Sequence, residues 1–105
     1  MTKEFNNAKV IAAANIYFDG KVTSRTVFAE DGKRYTLGVM LAGEYEFPTG
    51  AAEVMEMLGG AMDVMLPGET EYTTYTPGMS YRIPANSSYK MIVKEYVDYC
   101  CSYEE

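Results

Sequence analysis

The stretch YTLGVMLAGEYEFPTGAAEVMEMLGGAMDVML, from Tyr35 to Leu66, decides the fold. It breaks into short apolar or alternating runs parted by Gly and Pro, the punctuation of an all-β domain. Within it the sequence predicts strands at Tyr35–Leu41, Glu44–Phe47, Glu53–Leu58 and Ala61–Leu66, with Gly59-Gly60 as the turn between the last two. Working outward, the same pattern continues to both sides. Val22–Phe28 precedes it, and Tyr72–Tyr75, Met79–Ile83, Tyr89–Val93 and Val97–Tyr103 follow. Glu30-Asp31-Gly32-Lys33, Pro67-Gly68 and Thr76-Pro77-Gly78 have turn chemistry. About nine strands of the usual 3–10 residues leave many edges, and an antiparallel barrel or jelly roll removes most of them. The methionines bunched at Met55, Met57, Met62 and Met65 read as adaptable core packing.

A length of 105 residues accommodates one core. The expected organisation is an N-terminal extension over residues 1–14 and a single domain over 15–105. Residues Asn6–Asn15 suit either a short helix or an added edge strand. The apolar run Val10–Ala14 is too short for a signal segment or a membrane span, so a cytoplasmic protein with no membrane partner is expected. Cys100 and Cys101 are adjacent and would point to opposite faces of a strand, which makes them free thiols suited to a reducing compartment. A formal net charge of −6 argues against a nucleic-acid polymer as partner, because that binding rests on many basic side chains. A single phosphate is a different matter. It needs only a few local donors, which the nine Lys and Arg residues can supply.

Two spacings carry more information. Glu53 stands seven positions before Gly60, and Gly78 stands six before Pro84, with Asn86 two further on. This pattern resembles the cupin superfamily, and the resemblance implies a single cupin-type β-barrel. Laid over this chain, the cupin motifs put Phe47, Thr49 and Tyr89 where histidine ligands would stand, leaving Glu53. With no histidine in the chain and one carboxylate in that cluster, no tightly held transition metal is expected.

A closer resemblance lies in Tyr17–Ser24, Gly38–Thr49, Gly60–Pro67 and Tyr99–Tyr103. These segments look like the pyrimidine/purine nucleoside phosphorylase family of small cupins, in one register from about Asn15 to Tyr103. The resemblance implies attack of phosphate on C1′ of a nucleoside, giving free base and pentose 1-phosphate, with tolerance for purines and pyrimidines. Phosphate would be a co-substrate, and no cofactor is expected.

That reaction passes through a state with oxocarbenium character, so it needs groups that hold phosphate, orient the sugar and support the departing base. For phosphate the candidates are Arg34, whose planar fork suits two phosphate oxygens, Lys21, and more weakly Arg82. Glu53 is the candidate acceptor of the sugar hydroxyl protons, with Glu44 as a second carboxylate. Phe47, Tyr81 and Tyr89 are candidates for stacking on either class of base, and Thr49 and Asn86 for polar contacts. Each has an ordinary alternative as a surface charge, a turn anchor or core. The family pattern carries a His near Asn86 and another near Lys90, and this chain has neither, which leaves the acid that assists the leaving base unassigned. The competing readings are a non-catalytic cupin that binds a nucleoside or sugar phosphate, and a barrel filled by its own side chains. Pairing of exposed edges makes a homodimer the expected assembly.

Overall fold

The computed structural model describes residues 3–105. Eight strands form one sheet: β1 (Lys9–Val10), β2 (Asn15–Tyr17), β3 (Val22–Phe28), β4 (Arg34–Pro48), β5 (Ala52–Met65), β6 (Thr73–Tyr75), β7 (Ser80–Ile83) and β8 (Ser88–Glu104). All pairings are antiparallel, in the order β1-β3-β4-β8-β5-β6, with β2 added to β3 and β7 to β5.

The expected all-β fold stands, but the strands are longer and fewer than the punctuation suggested. Tyr35–Leu41 and Glu44–Phe47 are halves of β4, and Tyr89–Val93 and Val97–Tyr103 are halves of β8. Gly59-Gly60 is not a turn. It lies inside β5, where the register to β8 shifts between Met57 and Gly59 and again between Gly60 and Met62. β4 shifts similarly between Leu41 and Gly43. The three irregularities lie side by side across the sheet, so β4, β5 and β8 bend along one line and the sheet folds over its own inner face.

Gly60 shows why glycine is required there. Its φ is +75°, and a Cβ would stand 2.9 Å from the carbonyl carbon of Tyr96 and 3.2 Å from Cα of Val97. Next to the β4 shift, the Tyr45 hydroxyl donates to the Leu41 carbonyl at 2.7 Å and ties the bend across four residues.

The fold encloses one core of Val22, Met40, Tyr45, Met55, Met57, Met62, Val64, Tyr81, Ile83, Met91, Val93, Val97 and their neighbours. Met55, Met57 and Met62 sit in it as their sequence clustering predicts, and Met65 is half-buried. Aromatic rings draw the edges together. Phe18 packs against Tyr45 and Phe47 at 5.0 and 5.1 Å, and Tyr75 against Tyr81 at 4.6 Å. The predicted turns at 30–33, 67–68 and 76–78 are present, with Gly32, Gly68 and Gly78 at positive φ.

No helix forms over Asn6–Asn15. The segment supplies β1 and the first residue of β2, and Ile11 donates its N–H to the Thr26 carbonyl. Upstream, Lys3 bonds to Glu56 at 3.0 Å and Phe5 packs on Tyr35 at 4.8 Å. Cys100, opposite Leu37 and Glu56 on this side of the sheet, is buried. Its thiol is pushed up to about 11, burial being the main cause.

Gly60→Ala should lower the stability of the protein by about 1–3 kcal/mol, from backbone crowding and a strained φ together. Urea unfolding of the two proteins measures the difference, and equal midpoints would contradict the account of the bend.

Candidate active site

The inner face of the sheet narrows to a cavity of about 490 Å³. That is within the roughly 300–1,000 Å³ of small-molecule sites. Alternation along β4, β5 and β8 decides what lines it, because every second residue of a strand faces the same side. Arg34, Thr36 and Met40 come from the first half of β4, Phe47 from the second, Glu53 and Met55 from β5, and Tyr89, Tyr99, Cys101 and Tyr103 from β8. Cross-strand pairing then sets neighbours. Glu53 stands opposite Tyr103, and Thr36 and Met55 flank Cys101 from either side. Arg34 follows one step beyond the Tyr35–Ser102 pair, so it reaches the other side of Tyr103. The floor therefore runs Arg34, Tyr103, Glu53 across three adjacent strands.

Side-chain contacts follow this row. The Arg34 guanidinium stacks 3.7 Å over the Tyr103 ring and is forked to the Glu105 carboxylate at 2.7 and 3.2 Å. That bidentate pairing is the geometry a phosphate would use. Tyr103 and Thr36 share a hydroxyl hydrogen bond of 2.9 Å. The Cys101 thiol donates to Glu53 at 3.4 Å. Burial pushes the Glu53 carboxyl above its ordinary value, opposed by the Cys101 hydrogen bond and the charge of Arg34. Burial likewise pushes Tyr99, Tyr103 and Cys101 far up, so all three keep their protons at neutral pH.

Gly38 allows Tyr99 its position: a Cβ there would be 2.6 Å from the Tyr99 hydroxyl. Near that ring, the Asn15 amide donates to the hydroxyls of Ser24 and Thr26 at 3.2 Å each. The opposite wall is aromatic. Tyr17 and Phe18 meet Phe47 edge-on at 5.6 and 5.1 Å. Phe18 and Asp19 hold left-handed backbone at φ 51° and 55°, a strained turn that carries the Phe18 ring into the lining.

Of the residues singled out from sequence, Arg34, Phe47, Glu53 and Tyr89 line the cavity together. The others lie elsewhere. Lys21 and Glu44 are exposed and outside the lining. Arg82 is exposed and forked to Glu104 at 2.8 and 2.9 Å. Thr49 is buried in a loop clasp, donating to the carbonyls of Pro84 and Ser87 and accepting from the Ser87 N–H. Asn86 is an exposed turn residue at φ 52° whose N–H bonds to the Gly50 carbonyl. Tyr81 packs behind the lining against Tyr75 and Tyr89, and its buried hydroxyl has no protein partner.

Several lining residues were not singled out from sequence: Tyr17, Phe18, Ser24, Thr36, Glu46, Tyr99, Cys101 and Tyr103. The alternation of Tyr99, Cys101 and Tyr103 in one predicted strand was the signal that could have found the last three.

Among the described residues no three His, Cys, Asp or Glu side chains come together as a metal-holding set. The positions to which the cupin resemblance assigns histidine ligands hold an aromatic ring at Phe47, the committed hydroxyl of Thr49 and a buried phenol at Tyr89. Glu53 and Cys101 remain, and the Cys101 proton is firmly held.

Comparison with known proteins adds an independent line. The family described as pyrimidine/purine nucleoside phosphorylase matches residues 12–103. The protein of that name from Syntrophotalea carbinolica is 56% identical over 100 residues, covering 95% of this chain and 96% of the relative. The one from Clostridioides difficile is 53% identical over 100 residues, covering 95% of each. A crystal structure of a protein of unknown function from Acinetobacter sp. ADP1 superimposes with a TM-score of 0.93 at 37% identity, over 96% of this chain and 98% of that one. An RmlC-like cupin from Shewanella frigidimarina superimposes with a TM-score of 0.68 at 12% identity, over 97% of this chain and 90% of that one, which shows a shared fold.

Because burial raises the Glu53 carboxyl, its contribution to stability is present at low pH and lost as pH rises through its folded value. Glu53→Gln should therefore gain stability relative to the wild type in alkaline buffer and gain none in acid. Thermal unfolding at the two extremes reads this, and a constant difference would contradict it.

Proposed function

The chain belongs to the pyrimidine/purine nucleoside phosphorylase family, and we propose that it phosphorolyses nucleosides of both base classes to free base and pentose 1-phosphate in this cavity. It is an enzyme of the phosphorylase type, with nucleoside and phosphate as substrates. The observation that carries the assignment to the cavity is the row Arg34, Tyr103, Glu53 facing an aromatic wall across one space.

In this reading Arg34 exchanges the Glu105 carboxylate for phosphate and presents it along the cavity floor. The exchange keeps two charge-assisted hydrogen bonds and swaps only the anion. The hydroxyls of Thr36, Tyr103, Ser24 and Tyr99 offer partners to the sugar, and Phe47, Phe18 and Tyr89 cover the base. Stacking accounts for tolerance of both base classes, since it reads a π face and not a donor pattern. Fixing phosphate beside C1′ supplies much of the catalysis by removing the entropy of a bimolecular encounter. The donor set supports a reaction that requires no metal.

The setting follows from the same observations. We place the enzyme in a reducing cytoplasm on the strength of its two free, buried thiols; among the described residues no helix is long and apolar enough to cross a membrane. A homodimer is supported by apolar side chains exposed on adjacent strands, with Leu41 opposite Tyr96, Val39 two register pairs away, and Leu58 on β5.

Incubation with purine and pyrimidine nucleosides after EDTA treatment should release base only when phosphate is present. Arg34→Ala should cut kcat/KM for phosphate about 10- to 100-fold, the loss of charge-assisted bonds of roughly 1.5–3 kcal/mol. Base release without phosphate, or an Arg34→Ala enzyme of unchanged phosphate dependence, would sink the assignment.

A further inference from the structure

The geometry points to Glu53 as the general acid that protonates the departing base, a role the missing histidines left vacant. This rests on the phosphorylase reading and replaces the sequence-based expectation that Glu53 accepts the sugar hydroxyls. Arg34 and Glu53 lie two strands apart on the same face with Tyr103 between them. Neighbouring strands are about 4.8 Å apart, so the two backbones are separated by roughly 10 Å. Displacement at C1′ puts the attacking phosphate and the leaving base on opposite faces of the sugar. A phosphate held by Arg34 at one end of this row therefore leaves the base at the Glu53 end.

The chemistry of the other groups narrows the choice. Tyr99 and Tyr103 on β8 hold their protons too firmly to be efficient donors, as does Cys101 beside them. Glu46, the other carboxylate of the lining, is exposed and accepts a hydrogen bond from the Ser88 hydroxyl at 3.2 Å, on the outward-facing side of β4 next to the inward Tyr45 and Phe47. Glu53 is more enclosed than Glu46. It is half-buried and faces Cys101, Tyr103, Tyr99 and Tyr89 from β8, Tyr81 from β7 and Arg34 from β4. Arg34 is the one positive charge acting on it, and its guanidinium is already committed to an anion. A carboxyl raised by burial is the usual device for a carboxylic acid catalyst near neutral pH.

In the step itself a phosphate oxygen forms its bond to C1′ as the C1′–N bond breaks. The electron pair of that bond stays with the base, which takes the Glu53 proton at the ring atom carrying the charge. Pentose 1-phosphate, neutral base and the Glu53 carboxylate result, and the carboxylate regains a proton from solvent.

The test compares leaving groups. The base of 7-methylguanosine carries a fixed positive charge and leaves neutral without being protonated, whereas those of guanosine and uridine need an acid. At one mildly acidic pH, Glu53→Gln should lose about 100-fold or more of kcat/KM on guanosine and uridine but stay within about 3-fold of wild type on 7-methylguanosine. Equal losses on all three would mean that Glu53 holds the sugar, and would overturn the proposal. If the wild type does not turn over 7-methylguanosine, the ratio of wild-type to variant kcat/KM on uridine decides. That ratio should fall as pH rises through the Glu53 value, and a ratio independent of pH overturns the proposal. Failure of the wild type on every nucleoside would instead remove the phosphorylase reading itself.

Discussion

The close approach of β5 to β8 at Gly60 is the constraint on which the rest of the structure depends. There the backbone of one strand lies where any side chain would meet the Tyr96 carbonyl group and the Val97 backbone. Together with the register shift at Gly43 it bends three long strands along one line. Bending places the second half of β4, carrying Phe47, and the first half of β8, carrying Tyr89, over the floor made by the other halves. An unbent sheet of the same strands would display the same residues on a flat face, with no cavity and no desolvated carboxyl.

From that folding over, the electrostatics of the site follow. Burial raises Glu53, Cys101, Tyr99 and Tyr103 together, and the last three keep their protons at neutral pH beside Arg34, the one cation among the described lining residues. Such a lining suits an anion and a polyhydroxylated sugar better than it suits a divalent metal. The cupin scaffold keeps the position of its carboxylate, while an aromatic ring, a loop-clasping hydroxyl and a phenol stand where ligands would be. Function resides in the site and not in the fold, and on the proposed reading this barrel sets a carboxylic acid where the cupin motifs would gather a metal.

Much of this was legible in the sequence, because strand alternation and turn chemistry are local. The turns at 30–33, 67–68 and 76–78 are closed by near neighbours, Gly32 N–H donating to the Ala29 carbonyl, Glu69 N–H to Leu66 and Met79 N–H to Thr76. Gly59-Gly60 misled because two glycines permit both a reversal and a bend, and only the pairing with β8 distinguishes them. The site was partly legible for the same reason. Arg34, Glu53, Phe47 and Tyr89 could be named from motif positions, but their juxtaposition depends on cross-strand register, which no local pattern encodes. Lys21 and Glu44 have the right chemistry but stand exposed outside the lining, and Thr49 spends its hydroxyl on the loop that follows Pro84. Tyr99, Cys101 and Tyr103 are not legible as site residues in the sequence, because a strand of apolar and aromatic residues has the pattern of core and only the folded sheet sets a cavity beside it.

The central claim is that this cavity joins phosphate to the sugar as it releases the base. Phosphorus NMR of a running reaction tests it most directly. The account predicts a new sugar phosphomonoester signal that grows in step with the base released, while inorganic phosphate falls by the same amount. Base released with free pentose and unchanged phosphate would contradict it, and would make the enzyme a hydrolase built on the same floor.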